Sequence, residues 1–280
     1  MKVHSDIDGL AFAAMKAMML HEAQEHALPV VEDTATRLQG RTEYGAVGIT
    51  DRAPKGLRLD VEADRADNLY VLRDSLVGHI EHFLPEVAQT ISWSDDVAAG
   101  QLPPNFQFAT VTASEPLTTT FRRLRLRLAK PELFDDRAIH FRFVLPRADE
   151  TDPVWPTIAP NGSTRWPSGA QALHRPVYTA RRQTGAEIEV DVFLHDGGRA
   201  CDWASSVQMG DEVALVGPGG GGVLSEACVI LAGDETAFPA ISRLLDGLPR
   251  DAVGEGVLLS HSGDQEYPIP DRSALTVTYC

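Results

Sequence analysis

The chain of 280 residues carries 25 Lys and Arg against 40 Asp and Glu, a formal charge of −15 at pH 7. That acidity argues against nucleic acid or an anionic membrane as the main partner, since both demand a basic surface. No run of about 18 or more apolar residues occurs, and the opening Met1-Lys2-Val3-His4-Ser5-Asp6 lacks the apolar stretch of a secretory leader, so a soluble cytoplasmic protein without membrane insertion is expected. The cysteines, Cys201, Cys228 and Cys280, are scattered and odd in number, which speaks for reduced thiols rather than a disulfide framework or a structural zinc site.

Ala11, Met15, Met18 and Met19 recur at helical spacing and predict an opening helix that ends before Pro29, its Met stripe serving as core. Strands are expected over 29–38, 44–50 and 56–61, separated by turn signals at Gly40, Asp51 and Pro54. A second helix over 64–83 places Leu69, Leu72, Leu76, Ile80 and Phe83 on one face, with Asp64 as its cap and Pro85 as its stop. A short strand over 90–93 then closes a small α+β module at 1–96, and Ser94-Asp95-Asp96 with 100–104 reads as a linker. His21, His26, His79 and His82 lie near the helices, with His79 and His82 on one face. No cysteine or clearly placed carboxylate completes a ligand set, so packing or solvation is expected of these histidines and no metal.

Over 104–224 the pattern changes to strands at 108–113, 121–129, 139–145, 173–180, 187–194 and 212–216, which predicts an antiparallel β-barrel. The stretch 149–169, dense in Pro, Gly, Ser and Trp, is long for a connector and has the composition of a functional or mobile loop. Arg122, Arg123, Arg125, Arg127, Lys130, Arg137, Arg142 and Arg147 form a local basic run; it is either the solvated face of a strand or an attractor for a small anion. Over 225–280, the continuous apolar run 227–232 predicts a strand buried on both faces. A helix up to Leu248 and strands at 256–260 and 275–279 follow, the grammar of a partial, truncated α/β nucleotide-binding domain.

The chemistry concentrates in Arg175-Pro176-Val177-Tyr178-Thr179-Ala180-Arg181-Arg182. A guanidinium, a phenol and a hydroxyl within five residues of extended chain can hold a diphosphate, an aromatic ring and a ring nitrogen. Downstream, His195 ends an apolar strand, Gly197 and Gly198 allow close backbone approach, and residues 199–204 open a helix whose N-terminus can face a phosphate. Trp203 suits either a ring stacked on an aromatic ligand or a core position. His195 reads as a structural hydrogen bonder, since outer-sphere electron transfer needs no general base.

The order RPVYTARR, VFLHDGGRACDWA, GDEVALVGPGG and LAGDETAFPAI closely resembles the siderophore-interacting proteins, FAD-dependent ferric-siderophore reductases related to the ferredoxin-reductase superfamily. The likeness runs from about residue 110 to 280, and the first segment resembles a small domain of unknown function that accompanies such proteins. The resemblance implies a three-part fold: the α+β module, a flavin-binding β-barrel and the partial NAD(P)-binding domain. It implies Tyr178 and Thr179 as the residues at the reacting flavin. Arg175, Tyr178, Thr179, His195, Gly198, Ala200 and Trp203 would complete the FAD site, with Gly233 and Thr236 in a turn facing NADPH or NADH. The implied reaction is reduction of a ferric siderophore to release ferrous iron, with a nicotinamide nucleotide or a reduced carrier such as ferredoxin as donor. Arg122 to Arg147, or Arg181 and Arg182, would attract an anionic siderophore. Two departures stand out: Val177 lengthens the usual arginine-to-tyrosine interval by one residue, and the family's further strands and C-terminal aromatic and glycine motif are not in this sequence. They leave open a non-catalytic flavin or siderophore binder that has lost its nicotinamide site, or a general flavin reductase.

Overall fold

The computed structural model describes every residue except 262, 264, 265 and 272–274. The chain divides into two compact units, Met1–Asn105 with Val154–Pro167, and Phe106–Pro153 with Ser168–Cys280. Among the described residues no helix is long and apolar enough to cross a membrane.

In the first unit, β1 (Lys2–Asp8), β2 (Val30–Asp33), β3 (Arg37–Thr42), β4 (Gly45–Asp51) and β5 (Gly56–Glu62) form one antiparallel sheet in the order β1-β5-β4-β3-β2. Helices α1 (Phe12–Glu25), α2 (Ala66–Phe83) and α3 (Pro85–Thr90) complete it. Val3, Ile7, Phe12, Met15, Leu59, Leu72, Val77 and Ile80 meet in its core. β1 buries alternate residues only, Val3, Ser5 and Ile7, and its solvent face is charged, so its hydrophobic signal is too thin to read in sequence. The single strand expected over 29–38 is instead two strands. Thr34 Oγ1 accepts from the Arg37 amide at 2.9 Å and the Thr34 amide donates to the Arg37 carbonyl at 2.8 Å, turning the chain at a short polar segment. Asp64 is not the cap of α2: Arg65 occupies that position without a side-chain capping bond, and Asp64 accepts from Asn68 at 2.9 Å. The strand expected over 90–93 is also absent. Pro85 begins α3 rather than only stopping α2, because its fixed φ and missing N–H suit a first helical turn, and α3 consumes residues through Thr90.

In the second unit, β6 (Phe106–Pro116), β7 (Phe121–Leu128) and β8 (His140–Val144) precede the segment 154–167, which belongs to the first unit. That segment, expected as a loop, carries the two-residue strands β9 (Thr157–Ile158) and β10 (Thr164–Arg165) and is pinned by hydrogen bonds. Trp93 Nε1 donates to the Asn161 carbonyl at 2.8 Å, Asn161 Nδ2 to the Ala88 carbonyl at 3.1 Å, and Tyr70 and Thr164 share a hydroxyl bond at 2.6 Å.

The remaining elements are β11 (Val177–Thr179), β12 (Arg182–Thr184), β13 (Glu187–Phe193), α4 (Arg199–Ser206), β14 (Glu212–Gly219), β15 (Cys228–Asp234), α5 (Phe238–Gly247), β16 (Val253–Leu259) and β17 (Leu275–Tyr279). β11-β8-β14-β6-β7-β13-β12 is one antiparallel sheet. The expected barrel is thus a rolled sheet whose ladder does not run unbroken round the ring. Its edge strands β11 and β12 are successive halves of one stretch, and at the break the Ala180 and Arg181 amides donate to Ile139 and Glu189 carbonyls at 2.9 and 2.8 Å. The strand expected from residue 173 starts at Val177, because Pro176 has no N–H to give the ladder. Leu124, Leu126, Phe141, Phe143, Ile188, Val190 and Leu215 fill the interior.

β15, β16 and β17 form a parallel sheet. Burial of β15 on both faces does not occur: Val229 and Leu231 face α5 and are buried, whereas Ile230 is 81 % exposed, since the described residues place a helix against one face only.

The basic run over 122–147 is not a free cationic patch. Arg123 grips Asp191 through two bonds of 2.7 and 2.8 Å, Arg125 reaches Glu115 at 2.9 Å, Arg127 reaches Glu187 at 3.3 Å and Arg137 pairs with Asp135 at 2.7 Å. Arginines on β7 face carboxylates on β6 and β13 because the antiparallel register sets them side by side. Arg181, too, is buried and paired with Asp246 at 2.7 Å.

Asp191 has no exposed side-chain surface and also accepts from the Tyr267 hydroxyl at 2.6 Å. Arg123→Met, which strands a buried carboxylate, is expected to cost about 3–5 kcal/mol; Tyr267→Phe, which removes one charge-assisted bond, about 1.5–3 kcal/mol. Urea midpoints at unchanged slope measure both, and a loss below about 1 kcal/mol for Arg123→Met would overturn the assignment.

Candidate functional site

The second unit holds a cleft of about 370 Å³, within the size range of small-molecule sites. Pro176, Val177, Tyr178 and Thr179 line one side; Glu235, Thr236, Ala237, Pro239 and Ala240 line another; His140, Asp191, Phe193 and His195 complete it. Tyr178, Thr179, His195 and Thr236 are therefore brought together although 58 positions separate the first from the last (236 − 178).

Along β11 burial deepens: Val177 is exposed, Tyr178 half-buried and Thr179 buried. The Tyr178 ring leans edge-on against Phe143 with centroids 5.0 Å apart, and burial pushes its phenol up to about 12, so it is a neutral donor. Thr179 Oγ1 lies 3.1 Å from His140 Nδ1. Burial, with the Arg243 charge second, holds the His140 imidazole below its ordinary value. Gly220, at φ +76°, lets the chain close over that ring; a Cβ there would sit 2.9 Å from His140 Cδ2. Gly220 thus serves packing on His140, and Gly222 lets the chain approach the Asp136 and Arg137 carbonyls.

The opposite wall is a helix entrance. Asp234 accepts from the Thr236 amide at 3.0 Å and from its hydroxyl at 2.6 Å, capping a turn of 3₁₀ helix, Glu235–Ala237, that leads into α5. Glu235 is buried and lies 3.4 Å from His261 Nδ1. Gly233 does not line the cleft. A Cβ on it would come 2.4 Å from the Ala237 Cβ, so its role is to let the turn close against β15.

Other expected site residues lie outside the cleft lining. Gly198, at φ +137°, begins α4 with no side-chain cap, leaving first-turn amides without intrahelical partners, and its position for a Cβ is 3.5 Å from the His195 ring. Ala200 is buried in the sheet interior, so only its backbone can serve a ligand at this end. Trp203 is half-buried and packs on Phe143 with centroids 4.8 Å apart. Arg175 is exposed just before β11, and its carbonyl accepts from Arg142 Nη1 at 2.9 Å. Arg199 Nη1 donates to the Leu145 carbonyl at 3.3 Å, placing a second guanidinium near the start of α4.

Residues 110–222 match the model of the siderophore-interacting FAD-binding domain, and residues 226–280 match that of the siderophore-interacting protein. The chain belongs to the siderophore-interacting protein family. It is 33% identical over 155 residues to an NADPH-dependent ferric-chelate reductase of Escherichia coli K12, covering 53% of this chain and 59% of that one. It is 38% identical over 97 residues to the ferric vibriobactin reductase ViuB of Vibrio cholerae, covering 32% and 34%. Among solved structures, the siderophore-interacting protein SipS from Aeromonas hydrophila aligns with TM-score 0.53 at 25% identity, over 63% of this chain and 67% of that one. The chain thus spans little more than half the length of the first relative and about a third of the second.

For a siderophore-interacting protein, FAD is the group the cleft must fit. The ring-sized cleft, the neutral donors Tyr178 and Thr179, and an uncapped helix start beside His195 match the ring and the diphosphate of that cofactor. His140, Asp191 and His261 escape sequence reasoning, and Glu235 is met there only as a member of the turn 233–239. Asp191 shows there as the last of three alternating acids on β13, after Glu187 and Glu189.

His140 generates a pH test. Its imidazole is lowered in the folded state, so below about pH 6.5 the unfolded chain binds the proton more tightly and stability falls with pH. His140→Gln, which keeps a polar partner for Thr179, is expected to flatten this fall relative to wild type between about pH 7 and 5. Parallel melting curves for the two proteins across that range would refute it.

Proposed function

We propose that this chain binds FAD in the cleft between β11 and the start of α5 and reduces ferric siderophores, with NADPH or NADH as electron donor. The observation that carries the reading is the meeting of Tyr178 and Thr179 with Thr236 and Pro239 in one cleft. A flavin side and a donor side then share the same opening. The NADPH dependence named for the Escherichia coli relative supports a nucleotide donor over a carrier protein such as ferredoxin. Three unpaired cysteines accord with a reducing compartment, and we place the reaction in the cytoplasm.

When bound, the flavin supplies acceptance of two electrons and their release one at a time. The protein's own groups bind and orient. Tyr178 offers a neutral hydroxyl and an aromatic edge held by Phe143. The Thr179 hydroxyl has one donor and two acceptor positions, so it can serve His140 and a ring heteroatom together. The Arg175 guanidinium and the first-turn amides of α4 take the diphosphate. The substrate is a ferric ion in hard oxygen ligands, which hold the ferrous ion less tightly. Two ferric chelates are reduced for each nicotinamide nucleotide oxidised.

Purified chain incubated with FAD and freed of excess is expected to keep about one flavin per molecule, to bleach under anaerobic NADPH, and then to yield ferrous iron from a ferric chelate, captured by a ferrous-specific dye. A colourless protein would sink the flavin reading, and bleaching by dithionite alone would sink the nucleotide donor. Arg175→Ala is expected to weaken FAD retention by about tenfold to over a hundredfold, the loss of one charge-assisted contact of about 1.5–3 kcal/mol. Unchanged retention would remove Arg175 from the site.

A further inference from the structure

The first unit carries a second constellation, independent of the flavin cleft. Glu22 and His26 stand four residues apart at the end of α1, and therefore on one face of it. His79 approaches them from α2, with Nε2 at 3.1 Å from Glu22 Oε2; His26 Nε2 lies 3.6 Å from the same oxygen. One ligand atom from each residue falls within 4.8 Å of the other two. His79 Nδ1 sits 2.7 Å from the Ser75 carbonyl, a bond that fixes the ring and leaves the Nε2 lone pair directed at the cluster, as the outer partner of a metal-bound histidine does.

We propose that Glu22, His26 and His79 form a binding site for a divalent transition cation of the zinc type. Two imidazole nitrogens and one carboxylate oxygen are the donor set such ions take, whereas calcium and magnesium take oxygen alone. Donors about 2.0–2.2 Å from one ion in tetrahedral array lie roughly 3.3–3.6 Å apart. The 3.1 and 3.6 Å separations here need only rotamer adjustments to meet that array. Three protein ligands leave a fourth position open, and the cluster borders an apolar cavity of about 140 Å³ that includes Met18, Met19, Leu38, Leu72 and Leu76. The carboxylate absent from a reading of the histidines alone is Glu22, supplied by the same helix as His26. His21 and His82 are not members: His82 packs edge-on against Phe83 with centroids 4.7 Å apart.

The test is titration of the untagged, metal-free full chain with Co²⁺, read by its visible d–d absorption, followed by displacement with Zn²⁺ in a calorimeter. Cys228 and Cys280 are exposed thiols that also take zinc, so the titration is repeated with both changed to Ser. One Co²⁺ per chain, displaced by Zn²⁺ and weakened at least tenfold by His79→Gln, by Glu22→Gln and by His26→Gln, with His82→Gln unchanged, supports the site. The exposed His26 gives a variant that tests the site even where substitution of the half-buried Glu22 impairs folding, which circular dichroism checks. Absence of saturable binding, or equal binding by the His26 and His79 variants and wild type, overturns it and leaves an ordinary carboxylate and histidine pairing.

Discussion

The second unit is organised around one buried carboxylate. Asp191 sits mid-strand on β13 with no exposed side-chain surface, and a lone charge there would carry a desolvation cost of several kcal/mol. It is tolerated because Arg123 on the neighbouring strand closes two bonds on it and the Tyr267 hydroxyl donates a third. Tyr267 belongs to the segment that follows β16, so the bond ties the parallel sheet region to the rolled sheet. Phe121, Phe238 and Tyr267 then pack round it, with Phe121 and Tyr267 centroids 4.5 Å apart. Once that seam is closed, Asp191 and Phe193 on one side and Glu235 to Ala240 on the other are left as walls of one cleft.

A second tether answers the break in the rolled sheet. Where the chain crosses from β11 to β12, the ladder lapses and the Ala180 carbonyl loses a strand partner. Arg243 from α5 donates to that carbonyl and to Asp136 at 3.0 Å, while Arg181 at the same break reaches back to Asp246 of α5. Both arginines are almost wholly buried, and the Arg243 bond to the Ala180 carbonyl is buried with it, whereas Asp136 and Asp246 keep their carboxylates open to solvent, which screens those two pairs. The irregularity that keeps the sheet from closing as a barrel is thus the point at which α5 attaches. The same Arg243 charge helps to keep His140 neutral, which links the tether to the chemistry of the cleft.

Legibility in the sequence followed the range of the interaction. Segments whose meaning is local could be read: the apolar stripe of α2, the alternation of β7, the bounds of β17 and the order of the motif segments. Tyr178, Thr179, His195 and Thr236 were visible as candidates because each lies in a run whose composition is unusual by itself. What escaped depends on pairing across the sheet. The arginines of β7 alternate as a solvated face does, yet their charge is consumed by Glu115, Glu187, Glu189 and Asp191, which only the register brings opposite them. Gly233 carried motif resemblance but packs against Ala237, outside the cleft lining. The hairpin at Thr34 and the thin strand β1 failed for the opposite reason, since short polar segments hold too few apolar residues to show a period.

The polarity of the cleft follows from how these contacts dispose charge. Its lining carries no arginine or lysine among the described residues: Arg142 and Arg199 donate to the Arg175 and Leu145 carbonyls outside it, and the start of α4 leaves first-turn amides uncapped. Its inner donors, the Tyr178 phenol and the His140 imidazole, are kept neutral by burial. An uncharged aromatic head suits that interior, and under the proposed reading an anionic tail extends from it to Arg175 and the α4 amides. A free phosphate would meet only that guanidinium and those amides, and a neutral aromatic only the interior. Under the proposed reading that division favours a flavin dinucleotide over either fragment, because the residues that close the fold also determine where charge is allowed.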